Sequence, residues 1–132
     1  MRSPLITVLV LALPLAGCGD TESSPPTTVG CKDAARGRVT IVAQEGNRWD
    51  TDCLRAQAGP LTIEVDNRDD GGNHNVHLPD APDSPATELE QGPSTQELEV
   101  TLEPGSYEFL CDVHTNMVGT LTVAAPPNDP VP

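Results

Sequence analysis

The chain predicts an all-β sandwich. Three observations carry this. Short segments alternate apolar and polar residues, glycine and proline turn signals separate them, and no window of helical period stands out. Residues 39–43 (Val-Thr-Ile-Val-Ala) form a β-branched run. Residues 61–66 (Leu-Thr-Ile-Glu-Val-Asp) alternate as a half-buried strand does. Residues 98–102 (Leu-Glu-Val-Thr-Leu) alternate cleanly. Residues 106–110 (Ser-Tyr-Glu-Phe-Leu) follow a Glu-Pro-Gly turn, and residues 119–123 (Gly-Thr-Leu-Thr-Val) alternate again. The turns between them are Gly59-Pro60, Asp69-Asp70-Gly71-Gly72, Pro79, Pro82, Pro85 and Gly92-Pro93. The one stretch with room for a short helical turn is 86–89. Proline and glycine total 25 of 132 residues, a composition that also suits disorder, but the alternating strands argue against that for 39–123.

The ends differ from this body. Arg2 precedes an apolar run over 5–13, which closes in Leu15-Ala16-Gly17-Cys18. The run is shorter than the roughly 20 residues of a spanning helix. It reads as an export signal. The ending resembles the bacterial lipobox, which implies that 1–17 is a lipoprotein signal peptide and that Cys18 carries lipid. An ordinary secretory signal with an incidental cysteine is the plainer alternative. Residues 18–30 then form a flexible tether, 31–124 one domain, and 125–132 a proline-rich tail.

The strongest chemical signal is Cys111-Asp112-Val113-His114-Thr115-Asn116-Met117, with His74 upstream in Asn73-His74-Asn75-Val76-His77. One thiolate, two imidazoles and one thioether are the donors that hold copper in blue-copper sites. Cys111 ends one predicted strand and Gly119 opens the next, so His114 and Met117 are expected on the loop between, with His74 on a strand beside it. A zinc site at His74 and His77 is the weaker alternative, since a third ligand is lacking nearby.

With Cys18 assigned to lipid and Cys111 to metal, Cys31 and Cys53 remain. An oxidising compartment favours pairing them, which would stabilise the domain by roughly 3 kcal/mol through the entropy of the unfolded chain. Two further metal ligands are the alternative, though neither cysteine has a close histidine or cysteine neighbour.

Charge narrows the partners. The formal charge is −13, and after Arg68 no Lys or Arg follows while twelve Asp and Glu do. Phosphate backbones are excluded, and three aromatic residues (Trp49, Tyr107, Phe109) give no base-stacking surface. Tyr107 and Phe109, two apart on one strand face, are expected to be core mass below Cys111. The acidity suits steering of a basic redox partner, and equally suits solubility or a salty medium.

The segment 107–123 (Tyr-Glu-Phe-Leu-Cys111-Asp-Val-His114-Thr-Asn-Met117-Val-Gly-Thr-Leu-Thr-Val) resembles the copper loop of cupredoxins. Its Cys-x-x-His-x-x-Met spacing is similar to amicyanins rather than plastocyanins, and the resemblance extends over roughly 37–124. It implies a Greek-key β-sandwich with one type 1 copper ion held by His74, Cys111, His114 and Met117. It implies that Asn75 braces the ligand loop and that His77 stands beside the metal without binding it. The partner of Asn75 in that family is a Ser or Thr, but here it is Asp112. Thr115 also departs from the family's proline. The function implied is single-electron transfer by a monomer on the extracytoplasmic face of a membrane. The redox partner would be a cytochrome, an oxidase or a dehydrogenase, and His114 the electron port within a small uncharged patch of Met117, Val118 and Gly71-Gly72. Copper delivery on the same fold is the alternative, and a metal-free binding module with a buried Cys111 is a third. An enzyme is not expected, because multicopper catalysis needs further ligands and further domains and no Ser-His-Asp or paired-carboxylate motif is present locally.

Overall fold

The computed structural model describes residues 30–127. The export segment, Cys18 and most of the tether lie outside these residues. Ten strands and no helix are present among them: β1 (Lys32–Asp33), β2 (Arg38–Gln44), β3 (Arg48–Trp49), β4 (Cys53–Gln57), β5 (Gly59–Asn67), β6 (Asn73–His74), β7 (Glu90–Gln91), β8 (Ser94–Leu102), β9 (Gly105–Cys111) and β10 (His114–Ala124).

Two four-stranded sheets face one another, one ordered β1-β4-β10-β9 and the other β3-β2-β5-β8. The chain crosses between sheets after β1, after β3, after β4 and after β8, giving a Greek-key sandwich with parallel pairs β1/β4, β4/β10 and β2/β5. β6 and β7 form a small separate ladder.

Alternation explains the layers. In β5, Leu61, Ile63 and Val65 face inward, whereas Thr62, Glu64 and Asp66 sit half-exposed between them. Ile41 from β2 joins them in the same sheet, and Leu54 from β4 with Leu121 and Val123 from β10 close the other side of the core. Phe109 is fully buried and Tyr107 packs at the margin. A disulfide joins Cys31 and Cys53, with Cα atoms 4.6 Å apart, and so ties the chain just before β1 to β4.

Two expectations need correction. Residues 86–89 make no helical turn. Ala86 bridges to His77, the Thr87 amide donates to the Val76 carbonyl at 2.9 Å, and the Val76 amide donates to Thr87 Oγ1 at 3.0 Å, because the ligand segment needs a partner on that side. His114 and Met117 are not on a free loop either. β10 begins at His114, which pairs with Cys111, and the ladder resumes at Val118 opposite Leu110. Residues 115–117 bulge between these points, which re-aims Met117 into the interior.

Gly119 shows how closely its neighbours within the same sheet approach below this bulge. A Cβ there would lie 2.2 Å from Phe109 Cζ and 2.7 Å from the Asp52 carbonyl oxygen. The Phe109 ring therefore lies directly over a residue without a side chain and forms the floor beneath the proposed ligands.

Candidate metal centre

The predicted donors come together at one end of the sandwich. Cys111 ends β9, His114 and Met117 come from the first turns of β10, and His74 comes from β6. The Cys111 Sγ lies 3.8 Å from His74 Nδ1 and 3.6 Å from His114 Nδ1. His74, Cys111 and Met117 are buried, while His114 is half-exposed. The two imidazole rings are 4.8 Å apart.

These separations fit a metal. Bonds of roughly 2.0–2.3 Å from one sulfur and two nitrogens, at tetrahedral to trigonal angles, place sulfur and nitrogen about 3.5–3.8 Å apart. Both histidines present Nδ1 to the sulfur, so both rings are turned the same way toward one point. Met117 lines the same surface cavity of about 410 Å³ as Cys111 and His114. A thiolate and a thioether beside two imidazoles select copper over harder ions. Their chemistry and spacing fit a type 1 copper site, which His74, Cys111 and His114 would hold with Met117 beside them.

The ligand segment is held from several sides. The His77 amide donates to the Leu110 carbonyl at 2.9 Å, and the Leu110 amide donates back to His77 at 3.0 Å, which fixes 74–77 against β9. Asn75 and Asp112 grip one another twice. The Asp112 amide donates to Asn75 Oδ1 at 3.0 Å, and Asn75 Nδ2 donates to Asp112 Oδ2 at 2.7 Å. Hydrogen bonds from Asn75 and from His77 hold the Asp112 carboxyl below its ordinary range. His77 does not join the metal cluster. Its Nδ1 pairs with Asp112 Oδ1 and its Nε2 with Ser84 Oγ, each at 2.7 Å.

One functional residue was not legible as such in the sequence. Asp69, read only as part of a turn, places Oδ2 2.8 Å from His74 Nε2. The buried ring can donate Nε2–H to this carboxylate, which leaves the Nδ1 lone pair for the metal and makes it more basic. Gly72 permits the contact, since a Cβ there would lie 2.2 Å from Asp69 Oδ2 and 2.9 Å from His74 Nε2. Asn67, almost fully buried, fixes the turn by accepting the Asp69 amide at 3.1 Å and donating to the Gly72 carbonyl at 2.9 Å. The signal available in sequence was an acid five residues before the ligand, with a glycine pair between. Gly72 thus lies over the buried His74, a position set by its contact with Nε2.

The sequence model of the cupredoxin-like domain matches residues 5–123. The chain belongs to the cupredoxin-like family. No curated protein sequence matches it. Among solved structures, this cupredoxin is similar to dithionite-reduced auracyanin of the photosynthetic bacterium Roseiflexus castenholzii. Identity is 20%, the match covers 69% of this chain and 99% of that one, and the TM-score is 0.59. A copper-containing nitrite reductase of Thermus scotoductus shares the fold at 23% identity and TM-score 0.56, over 67% of this chain but 23% of that one. An amicyanin variant with Cu(I) matches at 22% identity and TM-score 0.53, over 67% of this chain and 84% of its own. At these identities the likeness concerns the fold, and the ligands are argued from this chain's own geometry.

Proposed function

We propose that this cupredoxin is a blue-copper electron carrier. It is held by lipid on Cys18 at the extracytoplasmic face of a membrane and passes single electrons between redox proteins as a monomer. One observation carries the reading. A buried thiolate stands between two Nδ1 atoms at 3.6 and 3.8 Å, and one of those two imidazoles reaches the surface. Ligands fixed by a sheet and a bulge change little between oxidation states, and the half-exposed His114 gives the electron a short way out. Val113 and Val118, both exposed, flank this port with an uncharged patch on an otherwise acidic molecule. Small contacts of that kind suit brief encounters, and the acidity suits a basic partner.

The same considerations favour a carrier over an enzyme. The chain has three histidines, two of which are in the copper site, and the third is engaged by Asp112 and Ser84. Nothing remains to build a second copper of the imidazole type. A copper-delivery role is the second reading, favoured by the cavity that opens onto Cys111, His114 and Met117. Visible absorption of the Cu(II)-loaded protein separates the two. An intense thiolate-to-copper band that vanishes in Cys111→Ala supports the carrier. Bound copper without that band supports delivery, and no bound copper overturns both. Membrane fractionation of a Cys18→Ser variant tests the anchor, since release to the soluble fraction is expected.

A further inference from the structure

His77 lies three residues beyond a copper ligand, and its ring connects the copper loop to the surface. Nδ1 is 2.7 Å from Asp112 Oδ1, and Nε2 is 2.7 Å from the hydroxyl of Ser84, an exposed residue. The other oxygen of Asp112 accepts from Asn75 at 2.7 Å. An unbroken chain thus runs Ser84, His77, Asp112, Asn75, and it ends on the residues that follow Cys111 and His74. Asp83 and Ser84 hold left-handed backbone, with φ of +66° and +46°. Non-glycine residues are kept there only when their surroundings dictate it.

The atom order is that of a Ser-His-Asp relay. Acyl transfer does not follow from it. The Ser84 amide is committed to the Ala81 carbonyl at 2.9 Å, and the next residue, Pro85, has no N–H. The backbone donors that hold an oxyanion beside a serine nucleophile are therefore missing. What remains is a titratable ring that can exchange a proton without losing a bond. When the ring is neutral, Nδ1–H donates to Asp112 and Nε2 accepts the Ser84 hydroxyl. When it is protonated, the hydroxyl rotates and Nε2–H donates to it.

We propose that His77 is a redox-linked proton site, binding a proton from solvent at Nε2 when the copper centre gains an electron and releasing it when the electron leaves. The inference rests on the electron-carrier reading. The electron comes from the donor protein and the proton from water, so the charge added to the site is partly balanced. An electron lowers the charge of the centre by one, which makes an imidazolium nearby more favourable. By reciprocity, the imidazolium makes reduction more favourable. The charged groups on the elements around His77 are all acidic. Asp112 is in contact, Glu108 lies on β9, Asp80 and Asp83 lie in the 79–85 loop, and Glu88 follows the bridge at Ala86. None of these competes with His77 as a cation.

The test is the reduction potential of the copper-loaded protein against pH, with proton uptake on reduction read from an indicator dye. The potential is expected to fall as pH rises across the range in which the site gives up its proton, with flat limbs on either side. A shift of about 0.3–1 pH unit between the two oxidation states corresponds to a total fall of about 20–60 mV, at 59 mV per tenfold. His77→Gln keeps polar contacts to Asp112 and Ser84 but carries no proton. It is expected to keep the visible band and lose both the fall and the uptake. Ser84→Ala is expected to move the window while keeping its amplitude, a response that a merely structural His77 would not give. An unchanged slope in His77→Gln overturns the proposal and assigns the proton elsewhere, with His114 the first suspect. A protein without the thiolate band overturns the electron-carrier reading itself.

Discussion

The two walls of the copper site are built differently. The His74 wall is buried and multiply bonded, with Asp69 on its Nε2, Asn67 fixing the turn behind it and Asn75 locked to Asp112. The opposite wall, the Cys111–Val118 hairpin, bulges from its ladder, and among the described residues His114 Nε2 has no protein partner. One wall is an anchor and the other a port. Rigidity is concentrated where the metal is held, and exposure where an electron must leave. The same ligand type therefore serves two tasks, distinguished by what surrounds each ring.

The floor shared by both walls gives the largest expected effect. Phe109 is fully buried, 6.4 Å from Trp49 ring to ring, and it lies over Gly119. Phe109→Ala is expected to cost about 3–5 kcal/mol of stability, measured by denaturant unfolding, and to loosen both walls together. If stability fell by less than about 1 kcal/mol, the sheet packing described here would be wrong. The next effect belongs to the anchor alone. Asp69→Ala is expected to weaken copper affinity about 10–100-fold, read by competition with a chelator, while the fold persists. Equal affinity in the variant would remove Asp69 from the site.

The contrast between walls also shows what could be read from the sequence. The candidate donors were legible because Cys111, His114 and Met117 are close in sequence and each has a distinctive donor atom. The long strands were legible because alternation in β5 and β10 follows burial directly. The two-residue strands β1, β3, β6 and β7 were not, since two residues have no period to detect. The bulge at 115–117 was hidden because it depends on register against β9, which is a property of two segments at once. Asp69 was hidden for a similar reason. Its role depends on the fold of a turn and on the missing Cβ of Gly72.

Asp112 joins the two walls, and its charge gives the third prediction. Asp112→Asn keeps the mutual grip with Asn75 but removes a negative charge next to Cys111. The reduction potential is expected to rise, because a nearby carboxylate favours the more positive oxidation state. An unchanged potential would exclude this electrostatic role. The same carboxyl contributes to the pH dependence of stability. Its pKa is lowered below the ordinary 3.8, chiefly by the bond from Asn75 and then by that from His77. Its contribution is therefore complete above that ordinary value and is lost as pH falls through the depressed one. The side chain is 46% exposed, so solvent screens the effect and the change is small. Acid unfolding of Asp112→Asn should show a slightly flatter low-pH limb than the parent protein.

The smallest effect on stability is expected at the port, where it separates the two walls most cleanly. Val118 is 42% exposed and follows Met117 at the rim of the copper cavity. Val118→Asp removes little packing, so stability should stay within about 0.5 kcal/mol of the parent. Electron exchange between copies of the protein, followed by NMR line broadening in a mixture of oxidised and reduced forms, should nevertheless slow about fivefold. That corresponds to roughly 1 kcal/mol of like-charge repulsion at close approach in water. An added carboxylate at an exposed but remote position, Thr101→Glu, controls for net charge. If Val118→Asp left exchange unchanged, electrons would be leaving through some surface other than the one around His114. If it lowered copper affinity as Asp69→Ala does, the distinction between anchor and port would fail, because the exposed wall would then be holding the metal as the buried one does.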